Sequence, residues 1–262
     1  MIVTLLTDFG TSDYFVAAMK GVILSLAPDA ALVDVTHEVP PQDVRAGAFT
    51  LLAAHDAFPA GTVHLAVVDP GVGSARRPVV AAAGGHLFVG PDNGLFGLVY
   101  DRHPGARVFH LNRERYFRHP VSTTFHGRDV FAPVAGALAA GAAPEDVGEE
   151  IHDPVRLGPL LPRRAADGGW EGTVLHVDHF GNCITNLTRA ELPDDAALAR
   201  GLRIVAGSRE IRAFQRFYAQ EGTEPGDLFA IWGSAGFLEI VAFRDSAARL
   251  LGVGRGAPVV VR

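Results

Sequence analysis

The chain has 262 residues, 48% of them hydrophobic and 20% charged, with a formal net charge of −6. That length fits one large domain or two modest ones, each able to bury a core. With Lys20 as its single lysine and no basic tract, the chain is a poor partner for nucleic acid, whose phosphates need clustered cations.

In chain order, "MIVTLLTDFG" opens with a short apolar run that stops at Asp8. It has no basic segment before it and is too short to span a bilayer, so the expectation is a cytoplasmic protein without membrane attachment. Cys183 stands alone, which rules out an internal disulfide and suits a reducing compartment. "IVTLL" and "ALVDV" read as buried strands. Between them Phe15, Met19, Val22, Ile23 and Leu26 recur at helical spacing until Pro28 closes the helix. A second helix follows over "DVRAGAFTLLAAHDAF", and "GTVHLAVV" reads as a third strand. This rhythm predicts right-handed crossovers and an α/β N-terminal domain with a largely parallel sheet. "RPVVAAAGGHLFVGP" predicts a hairpin turning at Gly84-Gly85, and "GRDVFAPVAGALAAG" a helix with an alanine-rich face.

The pattern changes near residue 150. "HDPVRLGPLLPRRAADGGWEG" is rich in Pro, Gly and Arg and reads as a linker. Short strands follow, with helical turns expected near Leu192–Leu198 and Ser246–Leu251. The expected organisation is therefore an α/β catalytic domain over 1–155, a linker over 156–168, and a smaller all-β, barrel-like C-terminal domain over 169–262.

Ligands of α/β sheets sit beyond the carboxyl ends of the strands. Three chemistry-bearing segments fall there: "TDFG" with Asp8, "DPGVGSARR" with Asp69 and Arg76, and "GPDNG" with Asp92 and Asn93. "TTFHGRD" adds His126, Arg128 and Asp129 at a loop-to-helix junction. Taken singly, each has an ordinary structural reading. Asp8 serves as a turn former or helix cap, Asp92 as part of a turn, Arg77 and Arg128 as ion-pairing residues, and His126 as a hydrogen-bonded structural histidine. It is their convergence at one end of one sheet that points to a site. Gly71 and Gly73 permit close approach of backbone to ligand. The loop lacks the spacing of a phosphate cradle, and an aspartate at its mouth favours a neutral or cationic ligand. In the second half, "HVDHFGNCITN" offers Asp178 for a cationic amine and Asn182 for a donor–acceptor contact to an adenine edge, though both also suit a plain turn. "WGSAGFLEIV" adds Ser234 and Glu239. His176 and His179 flank Asp178 but lack further ligands at a metal-binding spacing. Cys183 reads as a small buried apolar residue.

Together "TDFG", "VDPGVGSARR", "GPDNG", "TFHGRDVFAP" and "VDHFGNCITN" resemble the S-adenosyl-L-methionine hydroxide adenosyltransferase family, which is related to the fluorinase and chlorinase. The resemblance runs from Thr7 to about Ser246. It implies an α/β domain joined to a β-barrel domain, with S-adenosylmethionine bound as substrate where these domains meet across subunits of a homotrimer. By the same resemblance Asp8 holds the ribose hydroxyls, Asp178 faces the methionine amine, Asn182 meets the adenine edge and Ser234 lies near the methionine carboxylate. The backbone around Phe243, Arg244 and Ser246 matches an adenine contact, and Glu239 falls in the same segment. The hydrolase branch carries an Asp, an Arg and a His around a water, which match Asp69, Arg76 and His126. Halogenating relatives carry a tyrosine in place of that aspartate. The implied reaction is metal-independent hydrolysis to adenosine and methionine, without a cofactor. A halogenase, a metal-dependent hydrolase using Asp8, Asp69 and His126, and a non-catalytic S-adenosylmethionine or adenosine-binding protein are the alternatives.

Overall fold

The structure is a computed structural model that describes residues 1–158, 161–192, 195, 198, 201 and 203–262. The chain divides into two compact units, Met1–Leu157 and Gly158–Arg262. Among the described residues no helix is long and apolar enough to cross a membrane.

The first unit is built on a seven-stranded sheet. Its strands are β1 (Ile2–Thr7), β2 (Ala31–Thr36), β3 (Val63–Val67), β4 (Pro78–Ala83), β5 (His86–Pro91), β6 (Arg107–His110) and β7 (Glu149–Ile151), in the order β2-β1-β3-β5-β4-β6-β7. β2, β1, β3 and β5 are parallel neighbours. The β5–β4, β4–β6 and β6–β7 pairs are antiparallel. The sheet is thus mixed, not largely parallel as expected. The cause is the predicted hairpin: Gly84 (φ +58°) and Gly85 (φ +82°) turn β4 directly into β5, and a two-residue turn of that hand yields an antiparallel pair. The short strands β6 and β7 then extend the antiparallel side.

α1 (Phe15–Leu26) and α4 (Ala132–Ala139) cover one face of the sheet, α2 (Val44–His55) and α3 (Gly97–Arg102) the other. Val16, Met19 and Ile23 form the inward stripe of α1. Asp43 caps α2 by accepting from the Ala46 N–H at 2.9 Å. A Cβ on Gly47 would lie 2.9 Å from Leu95, so glycine lets α2 sit close against its neighbours. With helices on both sides, β1 and β3 are buried almost throughout, which explains their continuous apolar runs. β2 departs from its expected burial: it is the edge strand and is half exposed along its length.

The second unit is an eight-stranded sheet: β8 (Arg163–Arg164), β9 (Trp170–Val177), β10 (Cys183–Thr188), β11 (Ile204–Ala206), β12 (Arg209–Ile211), β13 (Leu228–Trp232), β14 (Phe237–Ala242) and β15 (Pro258–Val261). The order is β12-β11-β15-β9-β10-β14-β13, with β8 on β9, and neighbours are antiparallel. A bridge from Phe214, just beyond β12, to Ala230 of β13 brings the two ends together, so the sheet is nearly barrel-like. One apolar core, with Val174, Cys183, Leu187, Ile240 and Val259 among its members, lies inside. The unit is not purely β, because the helix Ala247–Leu251 follows β14. The turns expected near Leu192–Leu198 fall largely outside the described residues.

Candidate active site

In the first unit the path from β3 to β4 carries two of the candidate residues, Asp69 and Arg76. After Val67 the chain turns at Asp69, with the Val72 N–H donating to the Asp69 carbonyl and the Ser74 N–H to that of Gly71. The Ser74 hydroxyl also donates to the Gly71 carbonyl at 2.6 Å. These closures return Arg76 to Asp69. Arg76 Nε donates to both carboxylate oxygens at 3.0 Å, and Nη2 donates to Oδ2 at 2.5 Å. The pair is almost dry, with 9% of the Arg76 side chain and 5% of that of Asp69 exposed. Gly73 adopts φ +76°, and a Cβ there would lie 2.3 Å from the Thr123 carbonyl oxygen. Glycine therefore allows this loop to rest on the segment leading to His126.

Arg76 Nη2 also reaches His126 Nδ1 at 2.8 Å. A guanidinium only donates, so Nδ1 holds its lone pair and the neutral ring carries its proton on Nε2. Burial, then the Arg76 charge, pushes the His126 pKa below the ordinary histidine value, against smaller opposing effects of Asp69 and Asp129. The guanidinium lies over the Phe131 ring, 5.1 Å from its centroid. Arg76 Nη1 is buried and pairs with no described protein atom.

His126 immediately precedes a π-helical turn, Gly127–Phe131, that runs into α4. Asp129 holds the turn in place. It is fully buried and accepts from Arg128 Nε at 2.7 Å and Nη2 at 2.8 Å, the Ser122 N–H at 2.9 Å and Arg118 Nη1 at 3.1 Å. Burial alone would raise its pKa, but these donors outweigh it and hold the carboxyl below its ordinary value. Asp129 and Arg128 thus anchor the turn that follows His126. Asp92 has a comparable structural task, accepting from Arg77 and the Val155 N–H.

Thr7 is paired with Val67, so Asp8 leaves the same sheet edge as Asp69. Asp8 Oδ2 accepts from the Gln42 N–H at 2.7 Å. Beside it, Phe9, Tyr14, Phe15 and Phe125 form an edge-to-face cluster, with Tyr14 65% exposed. Sequence reasoning missed this aromatic patch, although each ring flanks a motif already singled out.

The second unit holds a cavity of about 610 Å³ lined by Asp178, Phe180, Asn182, Tyr218, Ala242, Arg244, Asp245 and Ser246. Asp178 Oδ1 accepts from the Phe180 and Asn182 N–H groups, and Oδ2 accepts from Asn182 Nδ2 at 2.8 Å. The turn that fixes both residues passes through Gly181 at φ +85°, where a Cβ would strike the Ser246 hydroxyl at 2.1 Å. Among the described residues, one amide proton and the side-chain carbonyl oxygen of Asn182 stay outside these bonds. Ser246 Oγ caps the following helix by accepting from the Arg249 N–H. Arg244 turns the chain at φ +52°. The Phe243 ring packs with Phe229, Ile231 and Val241, not on the cavity.

Glu239 is buried beneath the turn 233–236, and a Cβ on Gly233 would fall 1.7 Å from its Oε1. Burial and then the Asp178 charge raise its pKa, and the Tyr218 hydroxyl donates to it at 3.4 Å. Ser234 lies exposed on that turn, outside the cavity lining. Tyr218 is a lining residue that sequence reasoning missed, since its segment has no periodicity. Burial pushes the Cys183 thiol up to about 11, which leaves it an inert core residue. Among the described residues His176 and His179 belong to no metal-ligating group.

Comparison with known proteins follows the same two halves. The family models for the S-adenosyl-L-methionine (SAM) hydroxide adenosyltransferase N-terminal and C-terminal domains match residues 3–148 and 172–260. An (R)-S-adenosyl-L-methionine hydrolase of Thermus thermophilus is 44% identical over 262 residues, covering 97% of this chain and 96% of that protein. A fluorinase of Actinoplanes sp. is 30% identical over 217 residues, covering 73% of each chain. The crystal structure of an uncharacterized conserved protein from Thermotoga maritima superposes with a TM-score of 0.90 at 34% identity, covering 100% of this chain and 99% of that one.

Proposed function

The chain belongs to the S-adenosyl-L-methionine hydroxide adenosyltransferase family and is an S-adenosyl-L-methionine hydrolase, and we propose that it acts by in-line displacement at the ribose C5′. The water oxygen forms a bond to C5′ as the C5′–sulfur bond breaks. The sulfonium sulfur takes the bonding pair and leaves as the neutral thioether of methionine. Adenosine remains, and the water gives up one proton. SAM is the substrate, and no cofactor takes part in this reading.

The observation that carries it is the single guanidinium that bridges Asp69 and His126 in a nearly dry setting. Asp69 orients the water and accepts its proton. His126, with its proton on Nε2, donates to the oxygen and does not act as a base. The free donor at Arg76 Nη1 favours hydroxide character in the attacking oxygen. Positive charge on sulfur disappears as the proton leaves, so exclusion of bulk water assists the step. Alignment behind C5′ removes much of the entropic barrier.

Asp8 is assigned to the ribose hydroxyls, Asp178 to the methionine amine and Asn182 to adenine. Ser234 is assigned to the methionine carboxylate, and the Phe243–Ser246 turn to a further adenine contact. The domain assignment follows: an α/β catalytic domain over 1–155, a linker over 156–168 and a barrel-like domain over 169–262. The catalytic trio lies in one domain and the amine and adenine residues in the other, and the proposed assembly is a homotrimer in the cytoplasm. Against halide chemistry stands Asp69 itself, together with the higher identity to hydrolases than to fluorinases.

The test is chromatography of products formed from SAM in ¹⁸O-labelled water, with and without chloride and fluoride. One labelled oxygen in adenosine is expected, with no halide-dependent product. A halogenated nucleoside, or no adenosine from folded, ligand-binding protein, overturns the proposal.

A further inference from the structure

Three metal-ligating atoms meet at the opposite end of the first unit's sheet. His64, near the start of β3, lies five residues before Asp69, roughly 16 Å along an extended strand. Beside it His55 ends α2, Asp56 follows, and His103 stands just beyond α3. His55 Nε2 lies 3.1 Å from His103 Nε2 and 3.1 Å from Asp56 Oδ1. All three ligand atoms lie within 4.8 Å of one another.

The backbone fixes which nitrogen His55 turns toward the cluster. His55 Nδ1 is 2.9 Å from the Leu52 carbonyl oxygen, which can only accept, so Nδ1 carries a proton. A neutral His55 then presents a lone pair at Nε2 to a carboxylate oxygen that has only lone pairs. His103 Nε2, at 3.1 Å, can share its own proton with that lone pair, or a cation can draw the three atoms together. With the His103 proton on Nδ1, a divalent ion accepts a lone pair from each of the three atoms at once. Tetrahedral ligands 2.0–2.1 Å from zinc stand roughly 3.3 Å apart, close to the two 3.1 Å separations that meet at His55 Nε2.

The surroundings hold the ligands in place. Gly84, at φ +58°, packs its backbone on the His103 ring, where a Cβ would lie 2.5 Å from Cε1. Arg102 Nη2 takes the other Asp56 oxygen, Oδ2, at 3.7 Å and leaves Oδ1 for a ligand role. The geometry points to a divalent-metal site formed by His55 Nε2, His103 Nε2 and Asp56 Oδ1, with Zn²⁺ as its best-matched ion and a fourth position left for water. Two imidazole nitrogens and one carboxylate oxygen form a borderline donor set that zinc favours over Mg²⁺ or Ca²⁺. Such an ion ties the end of α2 to the end of α3 on their shared face of the first unit's sheet. Its effect is on stability, and the displacement at C5′ does not pass through it.

The test uses the full chain, stripped with chelator, dialysed into metal-free buffer and titrated with ZnCl₂ by calorimetry. CoCl₂ serves as a spectroscopic substitute through its tetrahedral visible bands. His103→Gln and Asp56→Asn are partly exposed positions that spare the buried His55, and His152→Gln is a surface control. One equivalent of Zn²⁺ is expected in the parent and in H152Q. At least tenfold weaker binding is expected in H103Q and D56N, with loss of the zinc-dependent rise in Tm. No saturable binding by the parent, or equal binding by the parent and both ligand variants, overturns the site.

Discussion

Replacing Gly73 with alanine tests whether contact between two loops sets the catalytic geometry. The substitution acts in two ways. An L-residue at φ +76° adopts a left-handed conformation, which costs about 1–2 kcal/mol. The new Cβ would stand 2.3 Å from the Thr123 carbonyl oxygen, whereas ordinary contact begins at 3.4 Å, so one loop must withdraw by roughly 1 Å. That withdrawal moves the Asp69–Arg76 loop away from the segment that delivers His126, across a hydrogen bond of 2.8 Å. A displacement of about 1 Å from productive geometry costs on the order of 10²-fold in rate. G73A is therefore expected to lose roughly 10²-fold in kcat with little change in KM, and the backbone strain to lower Tm by roughly 2–8 °C. Gly141→Ala is the control. Gly141 has φ +104° with nothing within 4 Å of an added Cβ, so G141A carries backbone strain without a collision. Steady-state hydrolysis of SAM and thermal unfolding on all three proteins decide the matter. A folded G73A whose kcat stays within twofold of the parent refutes the argument that this contact positions His126.

Asp69→Asn is expected to cut kcat by ~10²–10⁴-fold while sparing KM, because it keeps the size of the side chain and removes the proton acceptor. Near-parent kcat in D69N would limit Asp69 to orienting the water. Asp178→Ala is expected to raise KM ahead of any loss of kcat, since the substrate amine is cationic before and during reaction and three hydrogen bonds to the 178–182 turn go with it; an unchanged KM removes Asp178 from the binding set. Protonated His126 can no longer accept from Arg76, and its pKa lies below the ordinary ~6.5, so kcat/KM should hold its plateau through pH 6.5 and fall only at lower pH. An acid limb centred above that value contradicts this protonation state. The raised pKa of Glu239 means that the parent loses stability as pH rises through the folded value, and Glu239→Gln should show a smaller loss over the same range in pH-dependent unfolding.

Much of this was legible along the chain because the signals were local. The apolar stripe of Phe15–Leu26, the double glycine at 84–85 and the uninterrupted apolar run before Asp69 each dictate their own structure through helical period, left-handed backbone and two-sided burial. Asp8, Asp69, Arg76, His126, Asp178 and Asn182 stand out as candidates because each lies in a motif of small and turn-forming residues. The mixed character of the sheet was not legible, since strand direction depends on which partners meet, and β6 and β7 are short strands defined by pairing alone. Nor was the exposure of β2, whose apolar residues look like those of a central strand until its edge position is known. Whether Arg76 serves Asp69 alone or bridges it to His126, fifty residues away, was decided only in three dimensions. The same holds for Tyr218 on the cavity wall and for His55, Asp56 and His103. His55 and His103 stand 48 residues apart, and only tertiary contact brings their rings together.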